Sequence, residues 1–174
     1  RDMVAGSVIA PRLDLTNEEL IRSHVHAIWL AETDESMRSS ITELVDAGGD
    51  TPSLHLIPAL WHAVNDPDVT RRAQLTAERV LAELRRTWAL DAGTPIWWSD
   101  TWVHDQVKKA AAAFDDAFDR WRELYRTALA EYNEQHRLAI STTASKWDRR
   151  QAERRRADAR NQLTLLRNDD REAG

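Results

Sequence analysis

The sequence predicts an all-α fold, a helical bundle with one long projecting helix, and three observations predict it. Only 5 glycines and 5 prolines interrupt 174 residues. Charged residues make up 30% and apolar residues 42%, enough to build a core while coating long helices with charge. Apolar residues in the second half recur at spacings of 3 and 4, the period of a helix face. A length of 174 residues suits one domain with an appendage.

Residues 1–15 read as an extended N-terminal segment, with Val8, Ile9, Leu13 and Leu15 apolar and Pro11 opposing helix. Thr16 and Glu19 then form a T-x-x-E capping box, with Leu15 and Leu20 placed as a hydrophobic staple. A helix is expected from there to about Ala31, burying Leu20, Ile21, Val25, Ile28 and Trp29. A second helix over 36–47 would use Met37, Ile41, Leu44 and Val45, and Gly48-Gly49 would stop it. Pro52 and Pro58 imply a loop followed by one or two helical turns from Pro58. Asp66-Pro67-Asp68 is a helix start, with an Asp cap, Pro at the first position and an acid in the first turn. That helix should turn Val69, Ala73, Val80, Leu81, Leu84 and Trp88 inward and end before Gly93.

The long helix is expected to begin at a Ser99 cap and run to about Leu138. Val107, Ala110, Phe114, Ala117, Trp121, Leu124 and Ala128 form its heptad seam, with Trp121 as the largest core residue. Glu131 and Gln135 make the seam polar before Leu138. Residues 16–140 thus form the bundle. Ser141-Thr142-Thr143 breaks the chain, and Ser145 caps an Arg-rich helix over 145–167 that can fold back as an antiparallel hairpin. A frayed tail, 168–174, completes the chain.

Composition narrows function by exclusion. No stretch approaches the ~20 consecutive apolar residues that span a bilayer, so no membrane role is expected. The chain has no cysteine, which fits a cytoplasmic protein and removes thiolate chemistry. Its first residue is Arg1, which predicts a piece of a longer protein. The histidines show no H-E-x-x-H or H-x-x-x-H spacing, and His24 and His26 lie about 200° apart on a helix. No metal or cofactor site is therefore expected, and there is no G-x-S-x-G elbow, P-loop or G-x-G-x-x-G. Asp34-Glu35 begins like a helicase acidic box but continues Ser36-Met37. The expectation is that this segment has no catalytic residues and is not itself an enzyme.

Two features can bind nucleic acid. Trp97, Trp98 and Trp102 cluster before the long helix, where they either stack on bases or anchor a turn of the core. The second is a charge asymmetry. Residues 1–144 carry 15 basic and 23 acidic residues, whereas 145–167 carry 8 basic and 3 acidic. At about 100° per residue, Lys146, Arg149, Arg156 and Arg160 share one stripe beside Ala152, Ala159, Leu163 and Leu166. Such a helix can dock through its apolar stripe and show cations to a phosphate backbone, or simply solvate them.

Residues 12–32, R-L-D-L-T-N-E-E-L-I-R-S-H-V-H-A-I-W-L-A-E, resemble the segment that follows the second RecA-like domain of large bacterial superfamily 2 helicases. The matching positions are Asn17, His24, His26, Ala27 and Glu32. Residues 114–125, F-D-D-A-F-D-R-W-R-E-L-Y, and the Arg-rich segment ending Gln162-Leu163-Thr164-Leu165-Leu166 are similar to the same group. Within it the nearest type is the DrmA-type helicase of the DISARM antiviral (phage-defence) system. The resemblance implies a non-catalytic accessory region of an ATP-dependent DNA helicase or translocase, guiding nucleic acid or docking a partner subunit. ATP and Mg would bind the parent's RecA-like domains, whose motifs are absent here. A purely structural helical module that binds protein remains the alternative.

Overall fold

The computed structural model describes residues 15–34, 40–91 and 93–167. Among them there is no strand, and six α-helices follow one another: α1 (Glu18–Glu32), α2 (Pro58–Val64), α3 (Pro67–Asp91), α4 (Trp102–Asp116), α5 (Asp119–Ala139) and α6 (Lys146–Arg167). The fold is all-α, as the composition and periodicity predict. The described residues fall into two compact units, one of 15–32 with Pro67–Lys108, the other of Thr33–Asp66 with 109–167. The expectations for 1–14, Met37 and the tail lie outside the described residues.

In the first unit α1 packs on α3. The helix starts one residue later than the capping box implies: α1 begins at Glu18, and the Asn17 carboxamide oxygen accepts from the Leu20 N–H at 3.2 Å. The Leu15 and Thr16 carbonyls explain the shift. They accept from the Trp88 indole at 3.0 Å and the Trp97 indole at 2.8 Å, which anchors the chain ahead of the cap. Ile21, Val25 and Trp29 form the buried face of α1. Opposite, α3 buries Val69, Ala73, Ala77, Leu81 and Trp88. The expected Val80 is 49% exposed, because the buried line advances by fours through Ala73, Ala77 and Leu81 and leaves position 80 off it. Glu32 ties the two helices, accepting from Arg72 at 3.2 Å and from the Thr76 hydroxyl at 3.0 Å.

The second unit departs more from expectation. Of the helix expected over 36–47, residues 36–39 lie outside the described residues, and the rest is instead a single 3-10 turn, Ile41–Glu43, after which Val45 pairs with Leu56 in an isolated antiparallel bridge. The reason is Asp46. Its carboxylate accepts from the Gly48 and Ser53 amides and, at 2.7 Å, from the Ser53 hydroxyl. A side chain that holds its own downstream backbone competes with helix, and here the loop wins. Those bonds hold the carboxyl of Asp46 below its ordinary value. Leu54, buried in this loop, adopts a φ of +58°, a left-handed conformation costing about 1–2 kcal/mol for an L-residue.

The long helix starts at Trp102 rather than Ser99, and it bends at Ala117–Phe118 into α4 and α5. No proline or glycine lies there. The cause is a side chain entering the helical ladder. The Asp115 carbonyl receives the Phe118 N–H at 3.1 Å in a tightened turn, and also the Arg122 guanidinium at 2.9 Å. Arg122 is only 5% exposed. It also reaches the Asp115 carboxylate at 2.5 Å, the Asp119 carboxylate at 2.9 Å and the Leu54 carbonyl at 2.8 Å. Burial disfavours its charge, but the hydrogen bonds and charges of Asp115 and Asp119 outweigh that penalty and raise its pKa.

Just beyond the bend the buried line is displaced by one residue, to Arg122 and Tyr125, before it rejoins the expected seam at Ala128 and Gln135. Arg122, Tyr125, Ala128 and Gln135 are buried, while Trp121 and Leu124 are half-buried. Trp121 still packs: it stacks on Tyr125 with centroids 5.1 Å apart, and its indole donates to the Leu166 carbonyl at 2.9 Å.

Arg122→Ala should destabilise the chain by about 2–4 kcal/mol, through the cavity and the lost bond to the Leu54 carbonyl. Arg122→Lys should restore only part, because an ammonium cannot span the same fork of acceptors. Urea midpoints of the three proteins measure it; an unchanged midpoint for the alanine variant would remove Arg122 from the core.

Candidate nucleic-acid interface on the last helix

Ser145 starts α6 as its type predicts. Its hydroxyl accepts from the Asp148 N–H at 3.1 Å and lies 2.7 Å from the Asp148 carboxylate. Just upstream, the Ser141 hydroxyl accepts from the Thr143 and Ala144 amides, closing the turn after α5. The two helices form an antiparallel hairpin: Trp121 meets Leu166 at one end, and His136 meets Arg156 at 3.1 Å toward the other. Ala152, Ala159 and Leu163 are buried in the seam, and Leu166 is half-buried. The apolar stripe read from the sequence is therefore the docking stripe.

That docking fixes where the cations point. Lys146 and Arg160 are exposed, and Arg149 and Arg156 are half-buried at the edge of the seam. Arg156 donates to the His136 ring, and Arg160 lines a groove with Asp50, Tyr132, Asn133, Thr164 and Arg167. Arg150, Arg154 and Arg155 are exposed on the remaining surface of the helix. Among the described residues none of these seven side chains forms an ion pair with a carboxylate. On α5, by contrast, Arg120 pairs with Glu123, Arg122 with Asp119, and Arg137 with Glu134. Arg167, at the end of α6, turns inward and donates to the Tyr125 hydroxyl, which in turn donates to the Ala47 carbonyl at 3.1 Å.

The other sequence candidate is a core feature. Trp88, Trp97, Trp98 and Trp102 pack with centroids 4.9–5.9 Å apart. Trp97 is bonded to the Thr16 carbonyl, and Trp102 lies 3.3 Å from the Glu18 carboxylate. Trp102 and Arg22 together lower the pKa of Glu18. Trp98 is covered by the Arg85 guanidinium at 5.5 Å. These rings anchor the turn before α4.

The sequence reading passed over a hollow lined by His55, Leu56, Pro58, Trp61, His62 and Asp115, with Trp61 51% exposed and edge-on to His62. Nothing in the local spacing of these residues marks it, since Asp115 comes from a distant helix. Among the described residues no group of three or more His, Cys, Asp or Glu side chains is arranged to hold a metal, and no helix is long and apolar enough to cross a membrane. No known protein family, curated protein or solved structure matches this chain.

His26 is the histidine with a resolved shift. Burial, with the Arg22 charge adding to it, lowers its pKa against a backbone contact at Gln106, and its Nε2 is buried without a partner. The folded chain thus binds this proton less readily than the unfolded chain. Stability is full above the unfolded value of about 6.5 and falls as pH drops from there through the folded pKa. Thermal melts at pH 7.5 and pH 5.5 should show wild type losing stability on acidification, and His26→Gln losing less. Equal losses would mean that His26 is not the group responsible.

Proposed function

We propose that this chain is a non-catalytic accessory domain of an ATP-dependent DNA helicase or translocase, acting in the cytoplasm, which contacts the phosphate backbone through α6. One observation supports the nucleic-acid part: α6 docks on α5 by its apolar stripe and presents cations that, among the described residues, form no ion pair with a carboxylate. The proposed contact residues are Lys146, Arg149, Arg156 and Arg160. The helicase parentage rests on the resemblance at residues 12–32, 114–125 and 162–166, and ATP and Mg would act in the parent's RecA-like domains. A second reading, a protein-docking module, is favoured by the hairpin turn, where Leu138 is 37% and Ile140 65% exposed.

Four cations neutralise about three or four phosphates, so the log–log salt slope of binding should be about −3 on duplex DNA and about −2 on a single strand. No sequence preference is expected, because phosphate contacts position without reading bases. Changing Lys146, Arg149, Arg156 and Arg160 together to Gln should flatten the slope and weaken binding. A variant that binds as tightly with the same slope would hand the lead to protein docking. The isolated chain should also hydrolyse no ATP; turnover that co-purifies with it through successive columns would overturn the non-catalytic reading.

A further inference from the structure

Resting on the nucleic-acid reading of α6, the geometry points to a single-strand binding face formed by Trp147, Arg150 and Arg154, distinct from the stripe of Lys146, Arg149, Arg156 and Arg160. The spacing of 3 and 4 puts these three side chains on one face of α6, spread over about 10 Å of helix axis. All three are exposed. Trp147 is 68% exposed and, among the described residues, makes neither a ring contact nor a hydrogen bond. It lines a hollow at the hairpin turn together with Leu138, Ala144 and Arg155. The other α6 face is taken: Ala152, Ala159 and Leu163 are buried, so no packing demand places an aromatic at 147.

An exposed indole one turn from the Arg150 guanidinium and two turns from that of Arg154 matches an unpaired base beside phosphates. Stacking takes any base, and the cations take the backbone. A lipid surface fits less well. An interfacial helix needs an outward apolar stripe, and the apolar stripe of α6 is already spent on α5. An acidic peptide satisfies the cations but gives the flat ring no planar partner. Asp158 follows Arg154 by one turn and limits the face toward the C-terminal side, so the contact is short, on the order of one stacked base.

The test uses the full 174-residue chain and labelled strands in fluorescence anisotropy. The probes are an oligothymidylate of about a dozen nucleotides, long enough for one site, and an abasic strand of the same length, which keeps the phosphates and removes the bases. Wild type should prefer the base-bearing strand by about 5- to 100-fold, the range expected for one stacked base. Trp147→Ala should abolish that preference without changing the salt slope, and Trp147→Phe should retain part of it. Changing Arg150 and Arg154 to Gln should flatten the single-strand slope by about 1. Because Trp147 makes no internal bond, its variants should keep the wild-type melting temperature. If wild type binds both strands equally, or Trp147→Ala keeps the preference, the stacking face is overturned. The backbone reading survives that result provided the quadruple Gln variant still weakens binding. Absence of binding to either strand overturns both. Trp147-dependent binding to phosphatidylserine vesicles, or polyglutamate bound as tightly as the oligothymidylate, overturns the single-strand partner alone.

Discussion

A single buried guanidinium organises the second unit. Arg122 brings a charge almost wholly out of water, a transfer that is unfavourable unless its donors find acceptors. Four acceptors match it: two from Asp115, one from Asp119 and the carbonyl of Leu54. They come from three places in the chain, so satisfying one side chain fixes the end of α4, the start of α5 and the loop of Asp46 together. Leu54 can hold its left-handed conformation because its side chain is buried and its carbonyl is held by the guanidinium. The bend then sets which face of α5 turns inward. That face, with Tyr125 and Ala128, is the one on which α6 lies.

A second device recurs in both units: the polar tip of a large ring donates to a main-chain carbonyl that no helix or strand would otherwise satisfy. Trp88 and Trp97 hold Leu15 and Thr16, Trp121 holds Leu166, and Tyr125 holds Ala47. In each case the ring fills volume while its N–H or O–H satisfies backbone at an element boundary. This accounts for three of the eight tryptophans. Anchoring chain ends with rings is a use that leaves them unavailable to bases, whereas Trp147 is 68% exposed and, among the described residues, makes no ring contact or hydrogen bond.

How much of this was legible in the sequence depends on the range of the cause. Signals acting within a few residues were readable: the Asp66-Pro67 start of α3, the Ser145 cap of α6, the helix at Pro58 and the apolar stripe of Ala152, Ala159 and Leu163. The start of α1 was missed by a single residue, at Glu18 after the Asn17 cap. The heptad seam through Ala117 and Trp121 failed for a different reason. Its spacing of 3 and 4 is sound, but a seam argument assigns burial to apolar residues and passes over Arg122, whose burial depends on Leu54, 68 positions away. The described part of the helix expected over 36–47 failed likewise, because apolar periodicity at Ile41, Leu44 and Val45 is blind to an Asp46 carboxylate reaching Ser53. At the candidate interface, the stripe of four cations was readable from helical geometry. That α6 leaves them unpaired was not, because pairing is decided by where the neighbouring helix spends its acids.

That last distinction governs what the chain attracts. Its formal net charge of −5 argues against a polyanion partner only if charges act at any distance. At physiological ionic strength the screening length is about 8 Å, so a binding face responds to its own neighbourhood. Within the hairpin, α5 carries four basic and four acidic residues and neutralises most of them internally through its i,i+3 pairs. Its partner α6 carries eight basic and three acidic residues, and one of those acids, Asp148, is engaged by the Ser145 hydroxyl. The hairpin therefore keeps the full excess of α6. Alanines in the seam matter here as well, for small side chains give α6 a docking stripe without demanding much of its circumference. The remaining arc is left for long cationic side chains whose charged ends stay in water. A helix packed by small residues on one side and unpaired on the other is how an acidic chain can present a basic surface.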